Sequence, residues 1–133
     1  MALQYSSNIY LGRLDLVEST TGASALLKIY SGSPTANCAA AAPTGLLATL
    51  TLPSDWMNAA SGTTKTMLGS WTGTASGGSA TAPASFRIYN SGDTVCHIQG
   101  SAGVASGDLQ VNGSITSGQT VTVTSFTLTA ANT

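Results

Sequence analysis

QTVTVTSFTLTA, residues 119–130, alternates in polarity with a period of two residues, which is typical of a β-strand with one buried and one exposed face. Its two valines occupy odd positions, whereas Phe126 and Leu128 occupy even ones. Four apolar side chains in this arrangement cannot share one face of a regular strand. The phase change predicts either a β-bulge near Thr124-Ser125 or a strand whose two ends face different layers.

Three further stretches before this strand have strand-like sequences. Residues 25–31, ALLKIYS, predict a strand that ends in a turn at 31–34, and residues 35–45 predict a close-packed loop. Residues 46–53, LLATLTLP, predict a strand whose inward side chains are Leu46, Ala48, Leu50 and Leu52, with Leu47, Thr49 and Thr51 outward. Residues 63–72 predict a strand, and the low-complexity stretch 73–84 predicts a flexible loop.

The clearest hairpin comes next along the chain. Residues 86–89, FRIY, and 95–98, VCHI, flank the glycine-containing loop 90–94, which is of the kind that closes hairpins. Residues 101–107 predict a loop, and Leu109 with Val111 predicts a short strand.

Short strands separated by turn signals predict an all-β domain of about seven strands, an antiparallel β-sandwich or a jelly roll. We assign residues 23–133 to this single domain. Its predicted core consists of Leu27, Ile29, Leu50, Leu52, Trp71, Phe86, Ile88, Val121, Val123, Phe126 and Leu128.

Residues 1–22 predict an N-terminal arm or helix that makes an assembly contact. Over residues 7–20 the apolar spacing favours a helix, with Ser7 or Asn8 as its N-cap and Gly22 just past its end. The apolar side chains lie nearly all round this helix, which is also expected of an arm laid across a neighbouring subunit.

One turn of helix is predicted after the 46–53 strand. Ser54 or Asp55 would cap this turn, and Trp56 and Met57 would close one end of the core.

Charged residues make up 7% of the 133 residues, where about 25% is typical. Hydrophobic residues make up 42% and the net charge is −1, so disorder does not explain the low charge. A surface of hydroxyls and small apolar groups loses little hydration free energy when it is covered, which suits a subunit surrounded by neighbours in an assembly. The alternative is a small β-rich domain that simply favours Thr and Ser.

The four basic residues are scattered singly, which predicts no nucleic-acid partner. No stretch is apolar for long enough to span a bilayer, and the N-terminus lacks the regions of a secretory signal. We therefore expect synthesis in a reducing cytoplasm, where Cys38 and Cys96 would remain free thiols.

No catalytic or metal-binding motif is present in the sequence. His97 is the single histidine, and because neighbouring strand residues point to opposite faces it could not act jointly with Cys96. The five acids follow no spacing typical of a metal site or a glycosidase pair. We expect no enzymatic activity, no catalytic residue, no cofactor, no metal and no small-molecule substrate.

The order of several strand sequences resembles a group of small proteins encoded among the structural genes of tailed bacteriophages. The similar segments are LLKIYSG (26–32), LLATLTLPSDWM (46–57), FRIYNSGDTVCHIQG (86–100), GDLQVN (107–112) and SITSGQTVTVTSFTLTA (114–130). The resemblance implies a virion component and carries no functional residues with it. Combined with the low charge, it suggests a capsid decoration (cement) protein on the outside of the head, bound to the major capsid protein or other virion proteins and forming a homo-oligomer.

The expected contact residues lie in the N-terminal segment and after the 46–53 strand: Tyr5, Ile9, Tyr10, Leu11, Leu14, Trp56 and Met57. One alternative is a tail, adaptor or fibre part of the same virion. A second is a carbohydrate-binding module that displays Trp56, Trp71, Tyr30 and Tyr89 in a groove.

Overall fold

The computed structural model describes residues 3–130, which form one α-helix and eight β-strands. The elements in chain order are α1 (Ser7–Thr21), β1 (Leu26–Tyr30), β2 (Leu46–Thr51), β3 (Thr64–Thr66), β4 (Thr72–Thr74), β5 (Ser85–Tyr89), β6 (Cys96–Gly103), β7 (Leu109–Val111) and β8 (Thr120–Thr129). The mostly β composition with one helix near the N-terminus confirms the prediction at that level.

The strands form one curled, mixed sheet that resembles a half-barrel, so the predicted antiparallel sandwich or jelly roll is not confirmed. The strand order is β2-β1-β5-β6-β7-β8-β3, and β4 also pairs with β8. Among the described strands β6 and β7 run parallel, and the other pairs run antiparallel. The predicted hairpin is confirmed as β5 and β6.

Two glycines allow β6 and β7 to run parallel with only five residues between them. A Cβ atom on Gly103 would lie 2.5 Å from the carbonyl oxygen of Ser106. Gly107 has a φ of +94°, and a Cβ there would lie 3.1 Å from the backbone of Ala102. β6 therefore extends to Gly103, and the prediction of a loop over the whole of 101–107 is wrong.

The last strand contains the predicted bulge. Gln110 of β7 pairs with Ser125 and Val111 pairs with Val123, which leaves Thr124 as an extra residue on β8. Residues 124 and 125 are both exposed, so the apolar side chains before and after the bulge point into the same core.

A second irregularity changes the inward face of β2. Ile29 pairs with Ala48, but Tyr30 pairs with Leu46, so Leu47 is an extra residue on β2. Leu47 is consequently buried next to Ala48, whereas Leu46 is 42% exposed. The prediction that Leu46 faces inward and Leu47 outward is wrong for this reason.

The chain between residues 63 and 84 is more structured than predicted. The predicted strand over 63–72 is divided into β3 and β4, because the chain turns at Gly69, whose φ is +76°. β4 then takes up the first residues of the stretch 73–84, and Thr81 forms a bridge with Ile115. The prediction of a flexible loop over all of 73–84 is therefore wrong.

The residue that follows β4 links the two ends of the strand order. Ala75 forms an antiparallel bridge with Ala48 of β2, and the amide of Ser76 donates to the carbonyl oxygen of Leu47 at 2.9 Å. Because β4 also pairs with β8, this contact brings the β2 edge of the curled sheet to β8.

Aromatic rings occupy the middle of the core inside this curl. The ring centroid of Trp71 lies 5.8 Å from that of Trp56 and 5.4 Å from that of Phe126. The ring centroids of Phe126 and Phe86 are 5.6 Å apart. Every predicted core residue except the half-buried Leu128 is buried. Ser54 and Asp55 lie in a bend, so the predicted helical turn is not formed, but Trp56 and Met57 are buried in the core.

Cys38 and Cys96 form a disulfide, so the prediction of free thiols is wrong. Their Cα atoms are 5.4 Å apart, within the usual range for a disulfide, although 58 positions separate them along the chain. The loop between β1 and β2 carries Cys38 to the first residue of β6. The expectation came from the inferred compartment, and the folded loop places the two sulfurs together.

Candidate functional site

The helix α1 contains most of the predicted contact residues. It runs over Ser7–Thr21, which confirms the predicted helix, but its N-cap is Ser6 rather than Ser7 or Asn8, and no side-chain bond caps it. At the other end Gly22 has a φ of +92°, and its amide donates to the carbonyl oxygen of Glu18 at 2.9 Å. Glycine is favoured at this position because other residues rarely adopt a positive φ.

One face of α1 lies against the β domain. The less exposed residues recur at helical spacing, and they are Tyr10, Leu11, Leu14, Val17, Glu18 and Thr21. Of these, Leu14 and Thr21 are buried. Leu14 is therefore the one large apolar side chain that α1 buries fully, and Tyr10, Leu11 and Val17 are half-buried.

Two carboxylates of α1 provide polar contacts to the sheet, Glu18 on this face and Asp15, whose side chain is half exposed, at its edge. Lys65 of β3 is only 2% exposed, and its Nζ donates to Asp15 Oδ1 at 2.8 Å and lies 3.1 Å from Glu18 Oε1. Asp15 Oδ1 also accepts the backbone amide of Ala60 at 2.9 Å. A lysine this deeply buried requires such partners, because an uncompensated buried charge is strongly destabilising.

The second carboxylate connects the helix to the segment before β3. Glu18 Oε2 accepts the backbone amide of Met57 at 2.9 Å. Trp56 Nε1 donates to the carbonyl oxygen of Gly22 at 2.9 Å. Asp15 and Glu18 are three residues apart on the helix, and this i, i+3 spacing lets both reach the same region of the sheet.

An open cleft of about 570 Å³ lies beside these contacts, lined in part by Asp15, Glu18, Asp55 and Lys65. The side chain of Glu18, facing Asp55, raises the pKa of Asp55 above its ordinary value of 3.8, and burial raises it further. The hydrogen bond from Lys65 and then that from Ala60 lower the pKa of Asp15. Burial acts to lower the pKa of Lys65, but the bonds to Asp15 and Glu18 together raise it.

These shifts predict how the attachment of α1 depends on pH. Because the pKa of Asp15 is lower in the folded chain, its contribution to stability is complete above 3.8 and is lost as the pH falls through its folded pKa. Because the pKa of Lys65 is raised, its contribution is complete below 10.5 and is lost at higher pH. Asp55 opposes the acid loss in part, since its raised pKa favours protonation in the folded chain.

Urea unfolding at pH 3, 7 and 11 tests this dependence. We expect a plateau near neutrality and lower stability at both extremes. The variant Asp15→Asn should be less stable than wild type at pH 7, and this difference in stability should be smaller at pH 3. An Asp15→Asn protein with the same acid sensitivity as wild type would contradict the assignment.

The opposite side of α1 is exposed, and it carries two large apolar side chains among polar residues such as Asn8, Arg13 and Ser19. We call Leu3, Ile9, Gly12 and Leu16 the outer face. Ile9 and Leu16, seven residues apart and therefore on one side of the helix, are 50% and 60% exposed, and Leu3 is 73% exposed. A Cβ on Gly12 would meet no atom within 4 Å, so contacts within the chain do not require a glycine there.

The predicted contact residues divide into three groups in the structure. Ile9 belongs to the outer face, whereas Tyr5, Tyr10 and Leu11 are half-buried, and the Tyr5 ring lies 4.7 Å from the Arg13 guanidinium carbon. Leu14 is buried beneath the helix, and Trp56 and Met57 are buried in the core, so these three offer no surface to a partner.

Sequence reasoning missed Leu3 and Leu16, and it also missed the contacts of Lys65. The i, i+7 spacing of Ile9 and Leu16 indicates that they share one side of the helix, but it does not indicate whether that side is buried or exposed. A lysine between the threonines of a short strand carried no comparable signal.

The aromatic residues considered for a carbohydrate groove do not line one. Trp56, Trp71 and Tyr30 are buried and Tyr89 is half-buried. The ring of Tyr89 instead lies 5.0 Å from Lys28 Nζ, which also forms an ion pair with Asp93 at 2.9 Å.

The other side chains that could bind a metal or take part in catalysis are dispersed over residues 3–130. In this part of the chain no three His, Cys, Asp or Glu residues are grouped as metal ligands. His97 is half-buried next to the disulfide. Asp108 Oδ2 accepts both the amide and the hydroxyl of Ser101 at 3.0 Å, and this pair closes the β6–β7 turn.

The single helix within the described range is neither long enough nor apolar enough to cross a membrane. No protein-family model, no curated protein and no solved structure matches this chain.

Proposed function

We propose that the protein is a virion structural protein of a tailed bacteriophage, a decoration (cement) protein that binds the outer face of the major coat lattice. The observation that carries this proposal is the outer face of α1, with Leu3, Ile9 and Leu16 exposed on and before a helix that is already fixed to the β domain. A helix held in this way presents its apolar side chains without further ordering, which lowers the entropic cost of binding.

The distribution of charge on α1 supports this use of the outer face. Both acids of the helix, Asp15 and Glu18, point to Lys65 and the sheet. Covering the outer face therefore removes apolar groups from water and leaves the helix carboxylates in their existing contacts. Burial of apolar area is the main favourable term in most protein association.

Gly12 is consistent with close approach of a partner to the helix. Glycine inside a helix costs about 1 kcal/mol relative to alanine. Because nothing within the chain occupies the space of its Cβ, Gly12 leaves room for a partner to approach the helix between Ile9 and Leu16.

The composition supports an assembly role for the rest of the surface. Charged residues make up only 7% of the chain, so most of its exterior consists of Thr, Ser, Gly and small apolar groups. Such a surface is covered by neighbouring copies or coat subunits at little desolvation cost. The resemblance of the strand sequences to small phage structural proteins supports the virion as the assembly.

The proposal is tested by measuring how tightly the double variant Ile9→Ser/Leu16→Ser binds to phage particles that lack this protein. Because each side chain is already about half covered, its further burial contributes about 1 kcal/mol, and the affinity of the double variant should fall roughly tenfold to a hundredfold. Binding is measured by co-sedimentation, and the melting temperature confirms that the domain is folded. Deletion of the whole helix is a poorer test, because it would uncover Lys65 and the buried Trp56.

Val95→Ser is the matched control, since Val95 is exposed to a similar extent but lies in the β5–β6 hairpin. It should bind as wild type does. Binding of the double variant at wild-type affinity would exclude the outer face as the docking surface. Copy number separates head from tail, because a decoration protein covers the whole lattice and a tail part is present in few copies.

A further inference from the structure

The segment between β1 and β2, residues 31–45, is a loop that we call the cysteine loop. Its two ends are joined by backbone hydrogen bonds, from the Ser31 amide to Gly45 O and from the Gly32 amide to Thr44 O, each 2.9 Å long. Between these ends the loop carries Cys38 to its disulfide with Cys96 at the start of β6.

A buried arginine holds the same loop independently of the disulfide. Arg87 of β5 is 3% exposed, and its Nη2 donates to Thr35 Oγ1 at 2.8 Å. The same Nη2 lies within hydrogen-bond distance of the carbonyl oxygens of Asn37, Ala40 and Ala41, at 3.0–3.2 Å. These oxygens lie on both sides of Cys38 in the chain, so the guanidinium fixes the backbone that carries the sulfur.

Gln99 of β6 completes the arrangement. Its Nε2 donates to the carbonyl oxygen of Thr35 at 2.6 Å, and its Oε1 accepts Arg87 Nε at 3.2 Å. The side chain of Asn37 accepts the amides of Ala39 and Ala40 at 2.9 and 3.0 Å, which shapes the turn around Cys38. None of these hydrogen bonds requires the sulfur–sulfur bond.

We propose that the cysteine loop folds onto Arg87 while both cysteines are thiols, and that the Cys38–Cys96 disulfide forms afterwards as an oxidative lock. The protein can then fold in a reducing compartment and gain the crosslink on transfer to an oxidising one. This inference concerns the β domain alone and does not depend on the proposed function.

The oxidation uses a low-molecular-weight disulfide such as oxidised glutathione. The thiolate of one cysteine attacks a glutathione sulfur, which forms a mixed disulfide and releases one reduced glutathione. The second cysteine, after losing its proton, attacks the protein sulfur of the mixed disulfide and releases the other glutathione. Two thiols are oxidised and one glutathione disulfide is reduced to two glutathione molecules. Both cysteines are half-buried, so part of each residue is accessible to solvent.

The variant Thr35→Val tests whether the Arg87 contacts position the thiols. It removes the hydroxyl that accepts Arg87 Nη2 and also lies 3.3 Å from Gln99 Oε1, while the β-branched shape is kept. The equilibrium between reduced and oxidised protein in glutathione buffers gives the effective concentration of the thiol pair. We expect this concentration to fall about tenfold in Thr35→Val, which corresponds to the loss of one charge-assisted hydrogen bond.

Thr49→Val is the matched control, because Thr49 is an exposed threonine of β2 outside the cysteine loop. It should change the effective concentration by less than twofold. Equal values for Thr35→Val and Thr49→Val would overturn the proposal.

Reduced wild-type protein provides an independent measurement that needs no substitution. Hydrogen exchange in the presence of a reductant should show protection at the amides of Ser31 and Gly32, whose bonds close the loop. Exchange of these amides at the rate of an unfolded chain, or loss of the native circular dichroism on reduction at 25 °C, would show that the disulfide is needed for folding and would overturn the proposal.

Discussion

Replacing Trp71 with alanine should lower the free energy of unfolding by about 3–5 kcal/mol, the range expected for a large aromatic side chain removed from a packed core. Trp71 is fully buried and lies between Trp56 and Phe126, so its removal leaves a cavity that two other rings cannot fill without moving. Its Nε1 also donates to the carbonyl oxygens of Trp56 and Leu68, at 3.1 and 3.2 Å. Urea denaturation followed by far-UV circular dichroism measures the loss.

One further variant separates the packing of Trp71 from its hydrogen bonds, and another serves as a control at an exposed position. Trp71→Phe keeps much of the apolar contact but leaves two backbone carbonyls without the indole donor, and it should cost about 1–3 kcal/mol. Thr49→Ala, at an exposed strand position, should change stability by less than about 0.5 kcal/mol. A Trp71→Ala protein within 1 kcal/mol of wild type by this measurement would contradict the central place of this ring in the core.

Removing the disulfide should produce the second large effect. For a crosslink between residues 58 positions apart, the chain-entropy relation gives about 4 kcal/mol. We expect the double variant Cys38→Ala/Cys96→Ala to melt roughly 10–15 °C below the oxidised wild type, as judged from the average entropy of unfolding for a chain of this length. Differential scanning calorimetry measures both proteins.

Reduced wild type is the natural control for this variant, since the two lack the same crosslink and should melt close to one another. A melting temperature for the double variant equal to that of the oxidised protein would mean that the crosslink does not constrain the unfolded chain. The wild-type chain without its crosslink is expected to remain folded at 25 °C, because typical domains have 5–15 kcal/mol of stability.

Local patterns predicted the elements that depend on local sequence. The alternation in 119–130 predicted β8, and its change of phase left two explanations open, of which the structure has the bulge at Thr124. The helix and the β5–β6 hairpin were likewise predicted, since caps, spacing and a glycine-containing loop are encoded within a few residues.

Features that depend on distant contacts were not predictable in the same way. The extra residue at Leu47 follows from the pairing of β1 with β2, and β7 runs parallel to β6 because Gly103 and Gly107 permit a tight return. The sequence around Arg87 is that of a strand residue that faces outward. In the structure its partners are backbone carbonyls of the cysteine loop. Because every residue has a backbone carbonyl, the sequence does not indicate which of them accept hydrogen bonds.

The candidate site was predicted only in part, because its exposed side also depends on contacts between residues that are distant in the chain. The helix and Ile9 could be identified from apolar spacing, but an apolar residue on a helix does not reveal which side of the helix the domain occupies. That choice depends on Lys65, which draws Asp15 and Glu18 to the sheet and thereby leaves Leu16 facing water.

The position of β8 in the strand order has a consequence for when the molecule can fold. β8 pairs with β7 along one edge and with β3 and β4 along the other, although it comes after all of them in the chain. A nascent chain that ends before residue 119 therefore lacks the pairing partner of three earlier strands. Closure of the curled sheet must therefore wait until β8 has been synthesised, and a stop codon before β8 would leave those three strands with unpaired edges that are open to aggregation.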